Sequence, residues 1–447
     1  MVQRLNASRS GMPGINRNPI PYGQVTTYAN GFTSVSETDG RQYRLRANGT
    51  LASYTSRGMT ATFHPNGQIR TLHASSLDVR QGPKGGRVVV LHLPDHRVAV
   101  STARHAGYVE RGVTMRGREL TQRTYVVNGR AFTRLYVGYR FHGLEFPHFI
   151  PGFYYDPMFY GWVYYPWPTP IAFAWPWLGA PWVAFYGPYF TPWPVYPGAS
   201  YWLTDYVMAS YMGDAYQAQV QAGMAAQEDQ SAAPPPEGAA DEAYAPAATP
   251  ISPDLKQAIA EEVKRQLSYE AAVAAQPNQA ATLTDLPQVL QPNRLFIVDQ
   301  PRNTVTDDNQ SCSLTAGDVL RLIARPDETA LAADMVVETN QQGDCPPGAR
   351  ISVPLQDLEE MQNSFRARLA EGLKQLHDQR GTNNLPAAPP SAIGPPPVPS
   401  EYGTPPPDPG AQALIDQAQQ RAAATEQRLE ANAFAPAAGS NQRPGNN

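Results

Sequence analysis

The fold of the N-terminal part is decided by residues 43–72, which read YRLRANGTLASYTSRGMTATFHPNGQIRTL. Two Asn-Gly pairs, Asn48-Gly49 and Asn66-Gly67, lie 18 residues apart in this stretch, and Arg57-Gly58 lies halfway between them. Asn-Gly is typical of the type I′ hairpin turn, which needs positive φ at both central residues. The residues between the turns alternate in polarity, as half-buried strands do. The stretch therefore predicts a succession of β-hairpins.

The same spacing continues on both sides of this stretch. Asn30-Gly31 precedes it by one 18-residue interval, Lys84-Gly85 follows by another, and Asn128-Gly129 marks a last hairpin. Repetition at a fixed period is typical of stacked supersecondary units. We therefore expect a disordered segment at 1–24 and a basic β-hairpin repeat domain, a meander or β-roll, at 25–142.

The charge of the chain is strongly asymmetric. Residues 1–142 contain 20 Lys and Arg against 6 Asp and Glu, whereas residues 143–447 contain 15 against 33. A basic region attracts nucleic acid, anionic lipid, an acidic polysaccharide or the acidic remainder of its own chain. An equally open interpretation is a solvated, Arg-rich sheet face whose charge is neutralised within the molecule. The arginines that we consider as contacts for a polymer are Arg44, Arg46, Arg70 and Arg134.

A Tyr/Trp/Pro-rich segment that ends in a short helix is predicted at 143–221. Residues 157–204 contain no Asp, Glu, Lys, Arg or His, and all seven tryptophans lie between Trp162 and Trp202. Ten prolines between Pro157 and Pro197 exclude a membrane-spanning helix, because proline removes backbone donors. Two interpretations stay open, packing against a neighbouring domain and stacking on a sugar polymer or a membrane surface. The aromatic candidates for polymer binding are Trp162, Trp167, Trp175, Trp177 and Trp182.

The C-terminal part is predicted to be α+β. Residues 222–251 have the composition of a linker, and residues 252–379 contain a helix that begins near Ser252, four strands and a closing helix from about Leu355 to His377. This order fits a small β-barrel or SH3-like domain flanked by helices. The Pro/Ala-rich tail at 380–447 is predicted to be mostly disordered, apart from a helix near Ala411–Ala433.

Cys312 and Cys345 are the only cysteines and fall within the same predicted domain. We expect a disulfide, which would stabilise the domain by about 3–4 kcal/mol in the chain-entropy model, with two free buried thiols or redox or metal chemistry as alternatives. His92, Asp95 and His96, with His105, are weak candidates for a metal or catalytic site. Pro94 forbids a helix there, so polar turn residues are the alternative. No motif predicts a cofactor.

Four segments of the chain stand out together: 160–167 (YGWVYYPW), 200–206 (SYWLTDY), 312–320 (CSLTAGDVL) and 357–363 (DLEEMQN). They resemble an uncharacterised family of bacterial proteins of the secreted or envelope type. The resemblance implies export and carries no activity. Residues 1–23 are polar and contain no apolar signal segment. Taken as it stands, this start predicts a cytoplasmic protein. A start codon assigned too far downstream would give the same pattern.

These features lead to one hypothesis with two alternatives. The first is a non-catalytic cell-envelope, periplasmic or extracellular protein with a structural or adhesive role, which contacts an anionic or sugar polymer or a membrane surface through Arg and aromatic side chains. The alternatives are a cytoplasmic nucleic-acid-binding module and a wall or polysaccharide hydrolase. The oligomeric state stays open.

Overall fold

The computed structural model of the 447-residue chain describes residues 2–4, 22–82, 85–103, 106–127, 129–230, 249–275, 290–308, 310–327, 329–341 and 345–434. The protein is mainly β, with one large antiparallel sheet and a helical C-terminal region that includes a disulfide. This agrees with the fold class predicted from the sequence.

The large sheet is a meander in which each strand pairs antiparallel with the next one along the chain. This order follows from the short turns, because a hairpin connection leaves consecutive strands side by side. Its strands are β1 (Val2–Arg4), β2 (Tyr22–Thr27), β3 (Thr33–Ser36), β4 (Gln42–Leu45), β5 (Leu51–Ser56), β6 (Met59–Phe63), β7 (Ile69–Ala74), β8 (Leu77–Gly82), β9 (Gly85–His92), β10 (Val98–Ala103), β11 (Ala106–Met115), β12 (Arg118–Val127), β13 (Arg130–Phe141) and β14 (Leu144–Ile150).

The Asn-Gly turns are hairpins, but their predicted type was wrong. Gly31, Gly49 and Gly67 have φ values of 81°, 81° and 85°, whereas the asparagine before each has negative φ. The asparagine instead closes the turn with its side chain, since Asn48 Oδ1 accepts a hydrogen bond from the Thr50 N–H at 3.1 Å. The loops are therefore three residues long and end on a left-handed glycine.

The remaining elements follow in chain order. After the meander come β15 (Phe153–Tyr154), α1 (Pro157–Tyr164), β16 (Pro166–Ile171), a 3₁₀ helix (Pro176–Gly179), α2 (Pro181–Tyr186), β17 (Tyr196–Gly198), α3 (Ala199–Gln230) and α4 (Pro253–Ala275). The C-terminal strands are β18 (Leu295–Ile297), β19 (Arg302–Val305), β20 (Ser311–Leu314), β21 (Val319–Leu322), β22 (Ala332–Val337) and β23 (Arg350–Pro354). The chain then forms α5 (Leu355–Gln379), α6 (Pro390–Ile393), β24 (Val398–Pro399) and α7 (Ala411–Phe434).

The small β domain forms a four-stranded antiparallel sheet in the order β18-β21-β22-β23, with the β19–β20 hairpin beside it. Helix α5 follows β23 directly and packs its apolar face, including Leu358, Phe365 and Leu373, into the core. Helix α3 continues to Gln230, so the linker predicted from residue 222 does not begin there. Residues 231–248 of that prediction lie outside the described residues.

The helix predicted near Ala411–Ala433 is confirmed as α7, whereas residues 380–410, predicted to be disordered, are described in the structure. Helix α7 packs against the apolar face of the meander through residues such as Ile415, Ala418 and Ala422. Its alanines are small enough to let the helix axis lie close to the sheet. Residues 435–447 lie outside the described residues.

Helix α7 runs across the strands. Before its first turn the Asp408 N–H donates to Thr124 Oγ1 of β12 at 3.0 Å, and near its end the Arg41 side chain, just before β4, donates to the Asn432 carbonyl at 3.0 Å. A helix of this length spans about 36 Å, and eight interstrand spacings span roughly 38 Å. The helix therefore matches the width of the sheet between β12 and β4.

Docking of α7 predicts a position-dependent effect of one substitution. Ala418 is fully buried against the sheet, so Ala418→Leu should lower the free energy of unfolding by about 1–3 kcal/mol through overpacking. The same change at the exposed Ala413 on the same helix should leave stability nearly unchanged. Equal effects of the two substitutions in chemical denaturation would contradict the docked position.

Candidate binding cleft

The described structure contains a cleft between the end of the meander and the C-terminal helices. Its larger cavity has a volume of about 360 Å³ and is lined by β13, β14, β15, α4, α5 and residues 395–402. A second cavity of about 180 Å³ lies beside it and is bordered by residues 403–405. Glu270 and Arg366 line both cavities, which makes them neighbouring parts of one cleft. We refer to residues 395–405 as the proline strap.

The floor of the cleft is positioned by the contact between α5 and the edge strand β14. Asn363 on α5 accepts a hydrogen bond from the Phe149 N–H at 2.9 Å and donates to the Pro147 carbonyl at 2.5 Å. An unpaired strand edge needs such partners for its backbone groups. Arg366, one helical turn further along α5, is thereby placed next to His148 of β14.

The proline strap is fixed to the protein by backbone pairing. Strand β24 pairs with β15, with Phe153 opposite Pro399 and Tyr154 opposite Val398, and the Ser400 N–H donates to the Gly152 carbonyl at 3.0 Å. Gly394, just before the strap, has a φ of 55° and leaves no space for a Cβ, which would lie 2.7 Å from Asp156 Cβ. The close approach to Asp156 therefore requires glycine at this position.

Arg366 is the cation on the floor of the cleft. Its Nη1 atom lies 2.6 Å from His148 Nε2, and its Cζ atom lies 4.8 Å from the centre of the Tyr269 ring. Burial, and then the charge of Arg366, hold the pKa of His148 well below its usual range. His148 is therefore a neutral partner that accepts a hydrogen bond from the guanidinium.

Glu359 lies behind His148 and is fully buried. The Tyr139 hydroxyl donates to Glu359 Oε2 at 2.9 Å, and Oε1 lies 3.6 Å from His148 Nδ1. Burial raises the pKa of Glu359 to about 8. The carboxyl group is therefore protonated in the folded protein at neutral pH.

The walls of the larger cavity carry tyrosines and carboxylates. Burial, and then the carboxylates of Glu270 and Glu401, raise the pKa of the Tyr154 hydroxyl, which places both acids near this ring. Glu270 is itself buried, and its Oε1 atom accepts a hydrogen bond from Gln266 Nε2 at 2.7 Å. Tyrosine rings and hydrogen-bonding acids together form a surface that suits a ligand with both apolar faces and polar groups. The tyrosines that line the cavity are Tyr154, Tyr155, Tyr269 and Tyr402.

The tryptophans considered for polymer binding lie mainly in the protein core. Trp167, Trp175 and Trp182 are buried, and Trp162 and Trp177 are partly buried against the same core cluster. The Trp175 indole donates to the Tyr196 hydroxyl at 2.6 Å. Packing is therefore the interpretation that the structure supports for these five residues, because their rings are occupied by contacts within the chain.

Of the four candidate arginines, one reaches the cleft. Arg134 lines the smaller cavity, and its Nη2 atom lies 2.5 Å from Glu371 Oε1. Arg46 donates to two backbone carbonyls, those of Leu51 and Phe63. Arg44 is exposed above the Phe32 ring, and Arg70 is half-buried; their binding to a polymer stays a prediction.

The acidic remainder of the chain is a partner of the basic meander. Arg123 pairs with Glu360 of α5 at 2.7 Å, Arg87 with Glu426 of α7 at 2.9 Å, and Arg97 with Asp408 at 3.7 Å. Each pair joins residues 1–142 to residues 143–447. The charge asymmetry of the sequence is thus partly neutralised within the molecule.

The weak metal candidates do not come together. Asp95 accepts a hydrogen bond from Arg97 Nε at 2.7 Å, and His96 has a φ of 64° in the turn. His92 lies on the other side of that turn, with Nε2 3.5 Å from Asp78 Oδ2. Within the described ranges, no group of three or more His, Cys, Asp or Glu side chains is placed to hold a metal ion. His105 lies outside those ranges.

The predicted pairing of the two cysteines is confirmed. Cys312 and Cys345 form a disulfide, with their Cα atoms 4.9 Å apart. It joins the end of the β19–β20 hairpin to the loop that precedes β23. In the part of the chain that the structure describes, no helix is both long and apolar enough to cross a membrane.

The fold and the cleft define a mainly β protein that encloses a tyrosine-lined cavity between its large sheet and its helical C-terminal region. A comparison with models of protein families, with curated proteins and with solved structures finds no match to this chain.

The buried Glu359 predicts a pH dependence of stability. Its pKa is raised in the folded state, so its contribution is complete at low pH and is lost as the pH rises through about 8. Between the ordinary glutamate pKa of 4.5 and about 8, roughly 1.4 kcal/mol of the free energy of unfolding should be lost for each pH unit. Glu359→Gln should remove this loss, and the variant should gain stability relative to the natural protein as the pH rises in chemical denaturation. Glu145→Gln, on the exposed face of β14, should follow the natural protein; parallel curves for all three proteins would contradict the buried, protonated state.

Proposed function

We propose that the protein is a non-catalytic cell-envelope or extracellular protein with a structural or adhesive role, and that it holds a segment of a sugar polymer in the cleft below the proline strap. The observation that carries this proposal is the shape of the cleft. Two neighbouring cavities of about 360 and 180 Å³ share the floor residues Glu270 and Arg366. The larger cavity is in the size range of small-ligand pockets, and the second cavity extends the site.

The lining of the cleft matches the chemistry of a sugar. Sugar rings present C–H faces that pack on tyrosine rings and hydroxyl groups that bond to acids, hydroxyls and guanidinium groups. Tyr154 and Tyr269 supply rings on two different walls, and Glu270 and Arg366 supply polar atoms on the floor. A polymer that continues past one sugar unit would reach the second cavity, next to Arg134 and Lys374.

The proposed compartment rests on the disulfide. Cysteine pairs persist in oxidising compartments, which include the periplasm and the extracellular space, and are rare in the cytosol. The resemblance to bacterial envelope proteins points in the same direction. A structural role is supported by the ion pairs of Arg87, Arg97 and Arg123, which link the meander to the C-terminal helices.

These same ion pairs weigh against the nucleic-acid alternative. A phosphate-binding surface needs arginines that are open to the backbone of the nucleic acid. Arg123 is 4% exposed and donates to both oxygens of Glu360. It is therefore part of the interior of the protein.

Binding of oligosaccharides tests the ligand part of the proposal. We would titrate the protein at low salt with four tetramers in an isothermal calorimeter: β-1,4-linked glucose, N-acetylglucosamine and glucosamine, and galacturonate. At least one of them should bind. Tyr154→Ala should weaken that binding by about tenfold through loss of ring contact. Tyr165→Ala, which removes a ring that is 65% exposed outside the cleft, should leave it unchanged. Absence of binding to all four sugars would refute the proposal of a saccharide site.

The compartment is tested separately. We expect the protein, expressed from its native locus with its upstream DNA, to fractionate with the periplasm, envelope or medium. Non-reducing mass spectrometry should then show a peptide that joins Cys312 to Cys345. Recovery in the cytosol with two free thiols would contradict the envelope assignment, whatever the sugar assay shows.

A further inference from the structure

We propose that the larger cavity recognises a positively charged group, and that the polymer bound there is an amino sugar with a free ammonium group. This inference rests on the proposed function, since it specifies the ligand of the same cleft. It departs from the anionic partner that the basic N-terminal region suggests.

The charges that line the larger cavity are predominantly negative. Three carboxylates, Asp156, Glu270 and Glu401, face one guanidinium, that of Arg366. The other basic side chain in the lining, His148, is neutral because burial and the charge of Arg366 hold its pKa well below the usual range. The cavity therefore favours a cation over an anion.

The position of Arg366 reinforces this preference. Its Nη1 atom is directed at His148, and its guanidinium lies over the Tyr269 ring at 4.8 Å. The arginine is thus engaged at the base of the cleft. The carboxylate of Glu401, by contrast, belongs to an exposed residue of the strap. Asp156 is half-buried, and its Oδ1 atom accepts a hydrogen bond from the Met158 N–H at 2.8 Å.

Glu270 provides an acceptor inside the cavity. Its side chain is buried, with 7% exposed, and lines both cavities. Gln266 Nε2 donates to its Oε1 atom at 2.7 Å, and burial raises the pKa of Glu270 while the charge of Arg366 lowers it. Because burial disfavours the charged form of this carboxyl group, a second cation that enters the cavity would stabilise it.

Four tyrosine rings surround the same space. The face of an aromatic ring attracts a cation, and cages of aromatic rings with nearby carboxylates bind ammonium groups. Tyr154 combines both contributions, because its hydroxyl lies near Glu270 and Glu401. An ammonium group on a sugar ring would meet the carboxylates while the ring packs on tyrosine.

The chain already contains one ammonium site of this composition. The Lys256 ammonium lies 2.7 Å from Asp205 Oδ1, 4.6 Å from the centre of the Trp193 ring and 5.0 Å from that of Phe190. In that site a buried carboxylate and two aromatic faces hold a primary amine supplied by α4. The cavity next to Glu270 presents the same groups with no amine from the chain among its lining residues.

The test compares two tetramers that differ in the amine alone. At slightly acidic pH the natural protein should bind the glucosamine tetramer at least about tenfold more tightly than the N-acetylglucosamine tetramer in isothermal titration. Glu270→Gln should remove this difference, because it should weaken binding of the glucosamine tetramer more than binding of the acetylated tetramer. Glu401→Gln, at an exposed position that does not threaten folding, should reduce the difference, and Glu145→Gln should preserve it.

The outcomes separate this inference from the proposed function. Equal or tighter binding of the acetylated tetramer would overturn the ammonium site and leave the saccharide site in place. Binding of the glucose or the galacturonate tetramer alone would likewise overturn the ammonium site and leave the saccharide site in place. Absence of binding to every sugar would overturn both. A preference for glucosamine that survives Glu270→Gln and Glu401→Gln would also overturn the assignment to this cavity.

Discussion

The contact between α5 and the last strands of the meander is the interaction on which the rest of the structure depends. Arg123 of β12 is buried between the Tyr108 and Tyr136 rings, with its Cζ atom 4.9 and 4.4 Å from their centres. Such a charge would cost several kcal/mol without a partner. Both oxygens of Glu360 accept from it at 2.7 Å, which fixes α5 in one position. With α5 in that position, Asn363 covers the edge of β14 and Arg366 forms the floor of the cleft.

The meander is predictable from the sequence because its determinants are local. Asn48-Gly49, Arg57-Gly58 and Asn66-Gly67 mark turns, and the alternation between them sets the buried face of each strand. The docking of α7 is not predictable in this way, since an Ala/Gln-rich segment among prolines has the composition of a disordered tail. What decides its position is the apolar face of the sheet, which needs a cover, and small residues such as Ala418 and Ala422 supply one that fits closely.

The cleft is beyond the reach of sequence reasoning because its walls are distant in the chain. His148, Glu270 and Arg366 belong to a strand and two helices that meet only through tertiary packing. In the sequence the last two belong to the polar faces of amphipathic helices, and such faces are usually solvated. The tryptophans were the more conspicuous signal for a ligand. Their large apolar area is the reason that they lie in the core, where the chain needs them most.

Residues 157–204, which contain no charged side chain, also support one wall of the cleft. Asp205, the first charged residue after this segment, is fully buried and accepts hydrogen bonds from the Trp193 N–H at 2.6 Å and the Tyr196 hydroxyl at 2.7 Å. Lys256 at the start of α4 neutralises it. Because a buried ion pair holds both partners in place, the aromatic segment fixes the start of α4, and α4 carries Tyr269 and Glu270 into the cleft. The aromatic residues thus support one wall of the cleft, while Tyr154, Tyr155, Tyr269 and Tyr402 line its larger cavity.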